Sequence, residues 1–293
     1  MHARNRFREG YDFTRLVPAH PPLASLVTRS RRGDSTINFA DPMAVLVLNQ
    51  ALLKSAYGLQ WSLPAGALCP PIPGRSDYVH HLADLLSGGD DSAIPRGAAV
   101  MVLDIGTGAS CIYPLVGACE YGWRFVATEC DRASHRWARQ IARINRPCAR
   151  LIEGRHQPDP LACFANVTAM GERFAACMCN PPFHATAAEA AAGSARKRRN
   201  LQLAPTAAPQ NFGGAPGELW CPGGEVGFIE RMIVESAARP RLCGWFTTLV
   251  STRAHLPRLR RAIGQTPATD VRTIPMAQGQ KQSRLLAWTF APA

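Results

Sequence analysis

The chain has 293 residues, 46% hydrophobic and 18% charged, enough apolar material for one large domain or two small ones and too much for a disordered chain. No apolar run reaches the roughly 20 residues of a membrane span, and the opening MHARNRFREGYDF has no signal-peptide core. The net charge is +12, carried almost wholly by arginine, with lysine only at Lys54, Lys197 and Lys281.

Residues 1–95 lack alternating strands and helices. Asp41-Pro42 predicts a helix running to Gly58, with Asp41 capping free amides and Pro42 at the first helical position. After the stiff segment CPPIPGR a second helix is predicted over residues 76–86, and SGGDDSAIPRG reads as a linker. From residue 98 the pattern changes. AAVMVLDIG is the apolar, β-branched run of a buried parallel strand. A helix near residues 111–121 follows, then WRFVATEC (strand), SHRWARQIARIN (helix), ARLIEG and FAACMCN (strands). Residues 184–223 form a long irregular stretch. A helix (224–238), a strand (242–251) and a helix (254–264) follow, and two strands close the chain around QGQKQ.

The expected fold is therefore α/β and doubly wound, a Rossmann-like sheet of seven mostly parallel strands closed by an antiparallel hairpin. It occupies residues 96–293, and residues 1–95 form a small, mostly helical extension. The ten cysteines are scattered, with Cys177 and Cys179 the closest pair and no C-x-x-C, which fits a reducing cytoplasm and no zinc site. Residues 239–293 hold nine basic groups and one acidic. Such an end suits a polyanionic partner, although an arginine-favouring genome would give the same excess.

Two motifs carry chemistry. Asp104-Ile105-Gly106-Thr107-Gly108 ends the first strand of the sheet, where glycines allow a sharp turn and close approach of a ligand to the backbone. Glu129 ends the next strand, about 20 residues on, the spacing of a carboxylate that holds ribose hydroxyls. The run continues Ala109-Ser110-Cys111-Ile112 without the third glycine that a dinucleotide pyrophosphate needs, so S-adenosylmethionine is favoured over a nicotinamide or flavin cofactor. A strand-ending G-x-G alone would be only a turn; Glu129 and the strand before it make the difference.

The second motif is Asn180-Pro181-Pro182-Phe183, at the end of the fourth strand. A proline pair must end a strand, which places the tetrad on the same sheet edge as the glycine turn. An aromatic exocyclic amine is a poor nucleophile because its lone pair is delocalised. The Asn180 amide oxygen and the Pro181 carbonyl can each accept one N–H, steering the nitrogen towards tetrahedral geometry, while Phe183 offers a stacking face. The tetrad marks amino-methyltransferases acting on adenine, cytosine or glutamine, and does not choose among them.

LDIGTGASCIYPLVG, EYGWRF, CNPPFH, GSARKRRNL, NFGG, GELWCPGGE, MAQGQKQSR and AWTF, with ARNRF and PIPGRSDYVHHLADLL, closely resemble the bacterial ribosomal RNA large subunit methyltransferase F family over residues 4–291. The resemblance implies methylation of an adenine of 23S ribosomal RNA to N6-methyladenine, with S-adenosylhomocysteine as the other product. A eukaryotic relative that modifies spliceosomal small nuclear RNA shares DIGTGASCIYPL and NPPF. The resemblance makes Asn180, Pro181, Pro182 and Phe183 the catalytic tetrad. It makes Asp104, Gly106, Thr107, Gly108, Ser110 and Glu129 cofactor-binding, together with Arg75 for the cofactor's carboxylate. Arg75 pairing with Asp77 or Asp84 is the plainer alternative.

Arg155-His156-Gln157 is expected near the adenine ring of the cofactor, with no role assigned. Arg196, Lys197, Arg198 and Arg199 follow the tetrad in the long irregular stretch, and Gln280, Lys281 and Arg284 sit in the last hairpin. All seven are candidate RNA contacts, although a charge run is often only a solvated loop. The extension is expected to help cap RNA and cofactor. His80, His81 and His184 have no convincing ligand spacing, and no metal is expected. The expected partner is ribosomal RNA or a large-subunit assembly intermediate, met by a cytoplasmic monomer. The alternatives are an adenine methyltransferase for another structured RNA, a protein glutamine methyltransferase, and an RNA-binding protein that has lost catalysis.

Overall fold

The computed structural model describes residues 1–186, 188–189, 219–278 and 281–291. The extension holds helix α1 (Phe13–Ala19), a two-stranded antiparallel ribbon of β1 (Val27–Arg29) and β2 (Ser35–Ile37), and helices α2 (Pro42–Tyr57) and α3 (Ile72–Leu86). Helix α2 begins as its sequence predicts: the Met43 amide donates to Asp41 Oδ1 at 2.8 Å. It ends at Gly58, whose φ of 68° suits a glycine. Helix α3 starts a turn earlier than expected. Pro73 falls in its first turn, where a missing N–H has no helical partner to lose, so the proline-rich segment begins the helix instead of preceding it. α1 and the ribbon carry too few residues for a periodic signal and were not legible.

Strands β3 (Met101–Ile105), β4 (Arg124–Glu129), β5 (Ile152–His156), β6 (Phe174–Cys179), β7 (Cys243–Val250), β8 (Asp270–Gln278) and β9 (Lys281–Thr289) form one sheet in the order β5-β4-β3-β6-β7-β9-β8. All pairings are parallel except those of β9, which runs antiparallel to β7 and β8. Helices α4 (Ile112–Tyr121), α5 (Arg132–Ile144), the short α6 (Arg146–Ala149), α7 (Gly224–Ala238) and α8 (Leu256–Gly264) connect the strands. One apolar cluster joins α7 and α8 to one face of the sheet through Ile229, Ile233, Leu259 and Phe246. The other joins α4 to the extension through Leu115, Val79, Leu82 and Leu53, so both parts of the chain share one core.

The first residues strap the extension down. Arg4 donates to the Tyr121 hydroxyl and the His80 carbonyl and pairs with Asp84 and Asp91. Asn5 donates to the Pro73 carbonyl and to Asp77 Oδ1, and Arg6 pairs with Glu120 at 2.7 Å. Phe7 is buried, which is worth about 2 kcal/mol. The ARNRF motif thus ties α3 to α4.

Candidate active site

The strand order reverses at β3, with β4 on one side and β6 on the other, so a crevice opens at their C-terminal ends. The glycine turn lies there. Gly106 (φ 69°) and Gly108 (φ 62°) are both left-handed, a conformation that a side chain would strain. The Thr107 amide donates to the Thr128 carbonyl at 2.9 Å, and the Gly108 amide donates to Glu129 Oε2 at 2.9 Å. Glu129 Oε1 accepts the Asp131 amide at 2.9 Å. The carboxylate is therefore oriented by two backbone amides and retains lone pairs for a ligand. Burial raises its pKa, against the pull of those amides.

Ser110 is buried, and its carbonyl accepts the Trp61 indole N–H at 2.9 Å. Cys111 takes a left-handed φ of 50° at the start of α4, and no side chain caps that helix, so its first-turn amides keep no capping partner. Nothing in the sequence signals this turn, because cysteine has no preference for it.

Asp104 is fully buried, and neither carboxylate oxygen has a hydrogen-bond partner. Burial pushes its pKa up to about 7; the nearby Thr107 hydroxyl and the Arg75 charge oppose the rise and the Glu129 charge adds to it. Arg75 itself donates to the Tyr113 hydroxyl at 2.7 Å and lies over that ring. It does not pair with Asp77 or Asp84, which the N-terminal strap occupies. Arg75, on α3, lies close enough to Asp104, on β3, for its charge to be felt there.

The tetrad closes the other side. Asn180 follows β6 directly, and its buried Oδ1 has no partner. Pro181 is buried and Phe183 exposed. The β6–β7 ladder stops at Cys177↔Phe246. Beyond it Tyr78 from α3 fills the gap: the Cys179 amide donates to its hydroxyl at 3.2 Å, that hydroxyl meets Thr247 Oγ1 at 2.8 Å, and Thr247 Oγ1 donates to the Cys177 carbonyl at 2.6 Å. This closed chain of bonds sets the end of β6 one residue before Asn180. Sequence reading missed Tyr78 and Thr247, since neither sits in a motif.

Immediately after Phe183, the His184 amide donates to the Leu219 carbonyl and the Cys221 amide to the His184 carbonyl. The excursion between these residues thus leaves and returns beside the tetrad. Arg196, Lys197, Arg198 and Arg199 fall on it, outside the described residues, as does Gln280 in the hairpin. Lys281 opens β9 opposite Gln278, and Arg284 lies opposite Val250, the last residue of β7, at the same sheet edge as the tetrad. Arg155 forms a two-pronged pair with Glu172 at 2.8 and 2.9 Å and also pairs with Glu153, a structural clamp. His156 Nε2 lies 3.0 Å from the Cys130 carbonyl, and the Gln157 amide donates to the Glu129 carbonyl, so both stand beside the tail of β4. Ligand atoms of His2, His81 and Asp84 come within 4.8 Å of one another, but Asp84 is already engaged by Arg4 and His2.

A mostly parallel seven-stranded sheet with its one reversed strand second from the edge, carrying a glycine turn and an Asn-Pro-Pro-Phe edge, defines a Rossmann-like methyltransferase. The chain belongs to the RNA methyltransferase family, whose family model matches residues 1–292. It is 49% identical to the Yersinia pestis protein named ribosomal RNA large subunit methyltransferase F, over 99% of this chain and 87% of the relative. The Yersinia enterocolitica protein of that name is also 49% identical, over 99% of this chain and 88% of its own length. Among solved structures, the hMettl16 catalytic domain in complex with MAT2A 3′UTR hairpin 1 superposes with a TM-score of 0.83 at 31% identity, covering 99% of this chain and 96% of that one. The N-terminal domain of human METTL16 in complex with SAH superposes at 0.78 with 29% identity, covering 100% and 99%. No described helix is long and apolar enough to cross a membrane.

Proposed function

We propose that this protein transfers a methyl group from S-adenosylmethionine to the exocyclic amine of an adenine in 23S ribosomal RNA, giving N6-methyladenine. The observation that carries it is the buried Asn180 Oδ1 without a partner at the crevice edge. A buried amide oxygen left unpaired costs about 1–3 kcal/mol, and a substrate N–H is the donor that relieves it. The relatives named ribosomal RNA large subunit methyltransferase F support the nucleic acid, and the METTL16 complexes support RNA and a cofactor of this type.

S-adenosylmethionine supplies an electrophilic methyl on a sulfonium. The residues present fit it. Glu129 is held to receive ribose hydroxyls, Gly106 to Ser110 bring backbone close, Arg75 offers a cation for the amino-acid carboxylate, and Asp104 an anion for its ammonium. Asn180 Oδ1 and the Pro181 carbonyl accept the two N–H groups of the target amine, and Phe183 stacks the base. No strong base is required, because the amine proton becomes acidic only as the new bond forms. Catalysis rests on positioning. Arg196 to Arg199, Gln280, Lys281 and Arg284 hold RNA around this edge, the extension caps the site, and the protein works as a cytoplasmic monomer on ribosomal RNA or an assembly intermediate.

One incubation with labelled S-adenosylmethionine, 23S ribosomal RNA and a protein fraction tests the reading. Label is expected in RNA, recovered as N6-methyladenine. Asn180→Ala should lower transfer by on the order of 10²-fold while leaving cofactor affinity near wild type. Label in protein glutamine, or more than a tenth of the activity left in the variant, would sink the reading.

A further inference from the structure

Helix α5 carries Arg132, Arg136, Arg139 and Arg143 on its solvent side, while Ser134, Ala138, Ile141 and Ala142 are buried beneath. At the helical repeat these four arginines fall within an arc of about 60° and form a single file about 16 Å long. Arg146 and Arg150, in and after α6, continue it, and Arg124 at the start of β4 joins from the side; all are exposed. Among the described residues, none of the seven lies within 4.0 Å of a carboxylate. Arg4, Arg6, Arg155, Arg258 and Arg272 do find such partners.

An unbalanced file of this kind costs folding stability, since like charges four apart on a helix repel. Its shape is nonetheless organised. Arg124, Arg139, Arg143 and Arg150 line an open cleft of about 350 Å³ against edge strand β5. A side chain at Gly154 would come within 2.6 Å of the Arg139 Cγ, so the bare glycine lets the Arg139 stem lie across the strand. His135 feels the field: burial and the nearby Arg139 and Arg132 hold its pKa below the usual imidazole value. The file begins three residues after Glu129, at the rim of the crevice, and ends at the opposite edge of the sheet, where β4 starts.

We propose that this α5–α6 face is a docking track for the phosphate backbone of RNA flanking the target adenine. The assignment rests on the RNA reading above. Guanidinium forks match phosphate oxygens, and a rigid helix presents them at regular intervals. The file positions RNA without reading sequence, because its bonds go to phosphate.

The test is the full-length triple variant Arg136→Ala, Arg139→Ala, Arg143→Ala, with unmodified in vitro transcribed 23S ribosomal RNA as probe. RNA affinity should fall by about 10–10²-fold, and the slope of log affinity against log salt should drop by about 2–3, as for three phosphates no longer neutralised. KM for RNA should rise while kcat at saturating RNA and cofactor affinity stay within twofold. The corresponding triple lysine variant should keep most of the affinity. Arg8→Ala, Arg258→Ala, Arg272→Ala removes the same net charge from sites paired with Glu9, Glu230 and Asp270 and should change little. Wild-type affinity and salt slope in the α5 variant overturn the proposal, and so does an equal loss in the paired-site control. If wild type transfers no methyl to this RNA, the substrate reading fails, while the binding arm still decides the track.

Discussion

Asp104 should couple cofactor binding to proton release. Its buried carboxylate has no hydrogen-bond partner, and its pKa rises from 3.8 to about 7. In the free protein it is then mostly protonated on the acid side of about 7 and mostly ionised on the alkaline side. S-adenosylmethionine is cationic, so its arrival favours the carboxylate. The proton leaves, most fully at acid pH and hardly at all at alkaline pH, and affinity weakens as pH falls below about 7. Titration calorimetry in buffers of different ionisation enthalpy counts those protons, and subtracting the Asp104→Asn variant removes contributions from the ligand's own groups. The same residue predicts a stability effect. A raised carboxylate pKa imposes no penalty below the unfolded value near 4, a growing one between pH 4 and 7, and the full one above 7. The full penalty is on the order of 4 kcal/mol for three pKa units. Asp104→Asn should therefore gain stability over wild type as pH rises from 4 to 8, in the absence of cofactor, while binding the cofactor more weakly at pH 8. Equal proton release by both proteins, or a stability difference independent of pH, would refute the reasoning.

Other substitutions test the remaining groups. Glu129→Ala should weaken S-adenosylmethionine by roughly 1.5–3 kcal/mol, the worth of hydrogen bonds to a charged acceptor, and unchanged affinity by calorimetry would place the ribose elsewhere. Tyr78→Phe leaves the Cys179 amide without its acceptor; it should cost about 1–3 kcal/mol in unfolding free energy and lower kcat more than it raises KM, since it frees the strand end that aims Asn180. An effect on stability with no change in kcat would make Tyr78 a packing residue only. Replacing Arg196, Lys197, Arg198 and Arg199 by alanine should reduce the salt slope of RNA binding by about 0.7–0.9 for each phosphate that the run neutralises, without moving the methylated adenine. An unaltered slope would make the run a solvated loop.

The two motifs were legible because each is local. A strand-ending glycine turn or proline pair is written in adjacent residues, and the spacing from Gly106 to Glu129 is set by one intervening helix. The Asp41-Pro42 helix start is local in the same way. By contrast, prolines masked the first turn of α3, since their usual meaning as breakers holds only inside a helix. The α5 arginines could be counted from sequence, but whether acids stand beside them depends on which strands and helices meet there.

By itself, the sequence determined which chemical groups reach the C-terminal edge of the sheet and hence the class of reaction. Tertiary structure alone decided their state. Tyr78 reaches Cys179 and Thr247 across 101 and 169 residues of chain, Arg75 turns to Tyr113 instead of nearby acids, and the Asp104 carboxylate is buried out of reach of water. Desolvation is the physical reason: an oxygen's proton affinity and its need for a partner depend on what surrounds it in space, and distant segments supply those surroundings only once the chain has folded.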